Sequence, residues 1–412
     1  MKKAARRQPA DGWFFATTVM LVVVGILLVF DSSFARAGDK GLSNSWYFVN
    51  RQIMFAAIGF VGLFLGMKIH PEKLRTVTKI FMLLSIILLG VVMVPGLGKS
   101  IAGAARWIPI GPFHLQPSEV AKLAVIFYLA DRLSAKGPQI RQIGVLISHL
   151  AVVGLIVAFV LVEPDMGTAS SIVFITAAML YVAGVRKRHM IGLAATGIAM
   201  GGLLIAIEPY RLQRVLTFLD PSKDYYGSGY QITHALMALA TGGIAGVGPC
   251  EGREKFFIPA PQTDMIAATL AEEAGLIGML ILLGLFFVFT YRGFCIGHKA
   301  KSPYMGFLAI GITSMISVQA IMNVAVFSAS MPATGVPLPF ISYGGSHLLV
   351  MLFGAGIVLS VSRHLEEQIK EPELEAYENR CNRRRDRRAY LSCTEYRSSA
   401  RGGRRRRTPV RR

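Results

Sequence analysis

Apolar residues fall in long runs along this chain, separated by short polar, basic or Pro/Gly-rich breaks. The runs lie at Trp13–Phe30, Ile53–Met67, Ile80–Val94, Val120–Leu133, Val145–Val162, Ala169–Val185, Ile191–Ile207, Ile266–Tyr291, Met305–Phe327 and His347–Ser362. A helix needs roughly 20 apolar residues to cross a bilayer. The pattern predicts an all-α integral membrane protein with about ten transmembrane helices, which rules out a soluble enzyme. It divides the chain into an N-terminal segment 1–12, a polytopic domain 13–362 with a long external loop 209–264, and a tail 363–412.

Composition agrees with this picture. Of 412 residues, 53% are hydrophobic and 17% charged, and a soluble domain carries more charge. Basic Met1–Arg7 and a following apolar stretch ending near Ser33-Phe34-Ala35 imitate a signal peptide. The stretch is longer than a signal core and many runs follow, so it reads as an uncleaved first helix. Lys and Arg gather before the first run, between the second and third, and after the fourth, sixth and eighth. Positive loops stay inside, so both termini are expected in the cytoplasm of a bacterial inner membrane. The four cysteines leave only Cys250 outside, too few for an external disulfide. Net charge is +20, much of it in Arg383–Arg385, Arg387–Arg388 and Arg404–Arg407. Attraction to anionic lipid head groups and a plain disordered tail are the two readings of that segment. Nothing beyond charge suggests nucleic acid.

Polar residues at membrane depth are functional candidates. In Gly103–Ala124, Pro117 suits a first helical position, and Glu119 and Lys122 share a helix face. They form either a self-neutralising ion pair or, with Arg106, a polar cavity facing an anionic substrate. Glu163-Pro164-Asp165-Met166-Gly167-Thr168 is a tight turn, and spacing favours Asp165 as a helix cap over a cavity residue. The long loop carries Arg211, Arg214, Lys223, Arg253 and Lys255, external cations suited to meeting phosphate. It runs into Asp264, which reads as a helix-starting carboxylate. Glu272 and Glu273 follow inside an apolar helix, where they need partners. Gln319 and Asn323 share a face, and Met331–Ser346 is rich in Pro and Gly, irregular backbone that only protein or a wet cavity satisfies. The eight His show no metal-ligand spacing, and Gly98–Ser100 lacks the upstream glycine of a phosphate loop.

Together these segments resemble the SEDS family of bacterial cell-wall polymerases, the relatives of FtsW, RodA and SpoVE. GAARWIPIGPFHLQPSE, EPDMGT, FLDPSKDYYGSGYQ, TDMIAATLAEEAGLIG and PATGVPLPFISYGGS stand in the family's order and spacing, over about Gly12 to Ser362. The resemblance implies a glycosyltransferase that polymerises lipid II outside the cytoplasmic membrane, together with a class B penicillin-binding protein and other division or elongation proteins. It implies Asp264 as the catalytic acid. It implies Arg106, Glu119, Lys122, Asp165, Gln319, Asn323 and Ser342 as polar positions around the substrate. No cofactor follows with certainty; cationic groups or a divalent cation are the candidates for steadying the leaving diphosphate. Glu163 and the YGSGYQ run are more like the division branch, with elongation and sporulation as the alternatives. A lipid II flippase and a non-catalytic scaffold are the competing functions. Four positions depart from the family: Gln262 stands where His is usual, Met265 where Phe is usual, Ala235 where Ser often follows the Tyr-Gln of the long loop, and His347 where a second Ser is common.

Overall fold

The structure is a computed structural model that describes residues 9–37, 46–96, 98–101, 104–111, 113–221, 226–227 and 229–365. The basic tail and Lys223 lie outside the described residues. Twelve α-helices are described: α1 Gly12–Ala37, α2 Trp46–Lys68, α3 Pro71–Val92, α4 Pro117–Lys136, α5 Ile143–Val162, α6 Met166–Val182, α7 Lys187–Ile207, α8 Pro209–Leu219, α9 Tyr230–Gly242, α10 Ile266–His298, α11 Pro303–Phe327 and α12 Gly345–Ser362. Eight of them are long and apolar enough to span a membrane. Helix α6, with 17 residues, is apolar but shorter. Helix α4 carries Glu119, Lys122, Asp131, Arg132 and Lys136, which lower its hydropathy. Each of the ten apolar runs has a helix, but the expected count of ten spans is not reached on length and hydropathy alone.

Helices α11 and α12 are buried along most of their length, and α2 packs closely on α12. Small residues permit that approach: a Cβ on Gly66 would stand 2.9 Å from the Phe353 carbonyl oxygen. Between α3 and α4 the chain forms an antiparallel sheet that the apolar pattern did not announce. Its strands are β1 Lys99–Ile101, β2 Ala104–Ile110 and β3 Phe113–Leu115, with Ile108 opposite Leu115.

The long segment between α7 and α10 carries α8 and α9, and its backbone is tied to α10. At Gly275 (φ 61°, ψ −158°) α10 breaks its helical geometry. Leu276 and Ile277 N–H donate instead to the Gly243 and Ile244 carbonyls, at 3.0 and 3.1 Å. The Glu272 and Glu273 carbonyls accept from Val247 and Gly248 N–H, at 3.0 and 3.1 Å. Irregular backbone at this depth is tolerated because the loop satisfies each group the break releases. Glycine is required there, since a positive φ is costly for any residue with a Cβ.

Candidate active site

Pro117 occupies the first turn of α4, where a missing N–H costs nothing, and sets the helix entry. Glu119 lies in the same first turn, and from three residues further along the Lys122 ammonium meets Glu119 Oε1 at 2.8 Å; both side chains are about 2% exposed. His347 on α12 places Nδ1 3.1 Å from the other oxygen, Glu119 Oε2. The cluster is the self-neutralising pair, extended by a histidine. In this conformation Arg106 lies apart from it. Arg106, on β2, donates Nε–H to the Glu163 carbonyl at 3.0 Å and also donates to the Pro164 carbonyl. It therefore braces the α5–α6 turn.

Asp165 caps α6. Its carboxylate accepts from Thr168 N–H at 3.0 Å and Thr168 hydroxyl at 2.9 Å, and Gln116 donates to it at 3.3 Å. Capping of this kind typically contributes about 1 kcal/mol. Gly167 then lies against the Thr334 carbonyl with no room for a Cβ, so the start of α6 abuts the irregular segment 331–344.

That segment also fixes Asp264. Asn323 Nδ2 donates to the Asp264 carbonyl at 2.7 Å and to the Val336 carbonyl at 2.9 Å. Tyr343 N–H donates to the Gln262 carbonyl at 2.8 Å. Ser342 holds the segment's own turn, its hydroxyl accepting from Leu338 N–H at 2.8 Å. The backbone on both sides of Asp264 is thus pinned, while among the described residues the half-buried carboxylate accepts only from the Thr263 hydroxyl at 2.9 Å. The residue at the N-cap of α10 is Met265, and it makes no side-chain cap bond. Asp264 therefore stands one residue before the N-cap, at the start of α10 as expected, and makes no capping bond. Gln319 on α11 is fully buried with neither amide atom bonded, and Asn323 Oδ1 and Gln262 Oε1 are likewise without a partner.

Among the described residues, the cations of the segment between α7 and α10 are mostly committed to the protein. Lys255 is buried and bridges Asp31 on α1 at 2.5 Å and Glu273 on α10 at 2.6 Å. Burial works against its charge, yet the hydrogen bonds it donates to these two carboxylates hold its pKa above the ordinary lysine range. Glu272 accepts from Arg253 N–H at 2.7 Å and Glu254 N–H at 3.1 Å. Arg211 donates to the Leu204 and Leu161 carbonyls, at 3.3 and 3.4 Å, and Arg214 to the Ala333 carbonyl at 2.9 Å. Lys255 is therefore not a phosphate-binding cation, as its place in the loop had suggested. Glu272 and Glu273 have the partners their position demanded. Asp31 and His347 escaped sequence reasoning, and departure from the family's usual Ser was the only signal for His347. Among the described residues no group of three or more His, Cys, Asp or Glu is set to hold a metal ion.

A bundle of membrane-length helices, with the half-buried Asp264 carboxylate held by Thr263 beside buried polar residues, defines a multi-pass membrane protein with a candidate acid–base site. The chain belongs to the FtsW/RodA/SpoVE family, described as cell cycle protein, which it matches over residues 12–367. Stage V sporulation protein E of Bacillus subtilis is 39% identical over 349 residues, 84% of this chain and 95% of that protein. A probable peptidoglycan glycosyltransferase FtsW of Trichlorobacter lovleyi is 35% identical over 368 residues, 89% of this chain and 96% of that protein. Among solved structures, a peptidoglycan synthase complex that coordinates polymerization and crosslinking is similar with a TM-score of 0.72 at 27% identity, over 86% of this chain and 98% of that one. The rod shape determining protein RodA of Thermus thermophilus matches with a TM-score of 0.64 at 26% identity, over 87% and 98% of the two chains.

Proposed function

We propose that this protein is an inverting peptidoglycan glycosyltransferase that polymerises lipid II at the outer face of the bacterial cytoplasmic membrane. The acceptor sugar hydroxyl attacks the anomeric carbon of the lipid-linked donor strand. Asp264 takes the hydroxyl proton, the new glycosidic bond forms, and the bond to the lipid diphosphate breaks. The observation that carries this reading is the state of Asp264. Its backbone is pinned on both sides, yet its carboxylate keeps lone pairs free beyond one bond to Thr263. A general base needs such a lone pair within reach of the attacking hydroxyl, on a fixed scaffold. Curated relatives carrying the glycosyltransferase name at about 35% identity support it.

In this reading Arg106, Glu119, Lys122, Asp165, Gln319, Asn323 and Ser342 shape and polarise the site around Asp264. Cationic side chains or a divalent cation steady the leaving diphosphate. The termini face the cytoplasm, and a class B penicillin-binding protein is the crosslinking partner, as the peptidoglycan synthase complex supports. Division is the role favoured by the FtsW relatives, with sporulation the alternative raised by the SpoVE relative. Purified protein incubated with lipid II tests the reading. Glycan polymer is the expected product. Translocation across vesicles without polymer makes the chain a flippase, and neither outcome leaves a scaffold.

A further inference from the structure

The external segment encloses a cavity of about 400 Å³ between α8, the first turn of α9 and the 331–344 segment. This lies in the ordinary range for small-ligand sites, ~300–1,000 Å³. Tyr210, Gln213 and Arg214 line it from α8, Tyr230 and Gln231 from α9, and Ala333 from the irregular segment. Positions 210, 213 and 214 share one helix face. The opposite face shows exposed Leu212, Leu216 and Leu219, so α8 turns its polar and aromatic side to the cavity.

The chemistry of this lining is selective. Tyrosine offers an apolar ring with a polar edge. Glutamine offers both donors and acceptors. The guanidinium of Arg214 lies 4.6 Å from the Tyr210 ring centre and bonds the Tyr210 hydroxyl and the Ala333 carbonyl. Those two bonds leave some of its five N–H donors for a ligand. A diphosphate calls for convergent cations or backbone N–H groups, whereas this lining has one guanidinium, already partly engaged. A pyranose with an N-acetyl group fits better, because its C–H faces stack on rings and its hydroxyl and amide rim meets Gln and Arg. The cavity also shares a chain segment with the support of the candidate base. Ala333 belongs to the same segment as Val336, whose carbonyl shares Asn323 with Asp264.

We propose that this cavity binds an amino-sugar unit of the glycan strand, beside the pair that reacts at Asp264, and so retains the strand between additions. The inference rests on the polymerase reading above and adds a strand site to it.

The test uses the full-length purified chain, with a neutral, peptide-free tetramer of β-1,4-linked N-acetylglucosamine as probe. Binding is followed by saturation-transfer NMR, and glycan length by gel electrophoresis after reaction with lipid II. Wild type is expected to bind the tetramer. Tyr230→Ala and Gln231→Ala should weaken binding by roughly tenfold and shorten the mean glycan by a similar factor, because affinity losses appear mainly as faster release. Tyr230→Phe keeps the ring and should stay near wild type in strand length. If Tyr230→Ala does not fold, Gln231→Ala decides. The proposal is overturned if a polymerising wild type and both Ala variants make strands of equal length and bind the tetramer equally. It is also overturned if wild type binds the free stem peptide and not the sugar. A wild type that binds the tetramer through these residues but forms no polymer sinks the polymerase reading alone.

Discussion

Glu119 and Lys122 illustrate what one buried charge requires of its neighbours. Both are about 2% exposed and lie 2.8 Å apart, with His347 on the second oxygen of Glu119. Removing one partner of a buried pair typically costs roughly 3–5 kcal/mol, because the other charge stays desolvated. Lys122→Ala should therefore lower both the unfolding temperature and polymerisation, whereas Lys122→Arg keeps the charge and should lose less. Wild-type melting and activity in both variants would make the pair dispensable. The pair was legible in the sequence because its members sit one helical turn apart on a single helix. His347 was not, since it lies on α12, 228 residues away from Glu119. Lys255 misled for the same reason: its partners Asp31 and Glu273 are 224 and 18 residues away, and a local reading saw only an external cation.

The turn between α5 and α6 carries a second, independent electrostatic signature at the scale of an element. Both carboxylate oxygens of Glu163 are buried without a hydrogen-bond partner. Burial first, then the charge of Asp165, pushes its pKa up to about 8, against the pull of Arg106. The unfolded chain releases this proton near the ordinary 4.5, while the folded protein retains it to about 8. Across that window the unfolded state binds fewer protons, so stability falls as pH rises. The neutral variant Glu163→Gln should flatten this decline between pH 5 and 8, as read by thermal unfolding in detergent. Parallel curves for variant and wild type would show that Glu163 is ionised in the folded protein. Sequence located this turn and the cap at Asp165, because Pro and Asp act locally. It did not reveal the three-stranded sheet before α4 or the break at Gly275. Both depend on backbone pairing, and at Gly275 the pairing groups come from residues 243–248, in the turn that follows α9.

At the scale of the whole molecule, apolar runs located every membrane-length helix, since a bilayer makes a coarse and uniform demand on sequence. The site was less legible. Asp264 is presented by the joint action of Asn323 and Tyr343, which only the fold brings to one turn. Loop charge predicts an orientation in which Arg253, an exposed residue, lies outside the cell. An Arg253→Cys variant, in a background lacking Cys250, should react with a membrane-impermeant thiol reagent in intact cells; protection there would invert the topology. The most direct test of the account is polymer formation from lipid II by purified Asp264→Asn beside wild type, at matched folding. Asn keeps the shape of Asp and removes its basicity, and general-base catalysis is worth about a hundred- to ten-thousand-fold. The account predicts a loss of that order, with the variant still folded and still binding its penicillin-binding partner. Substantial polymer from Asp264→Asn would contradict it and move the base to another carboxylate.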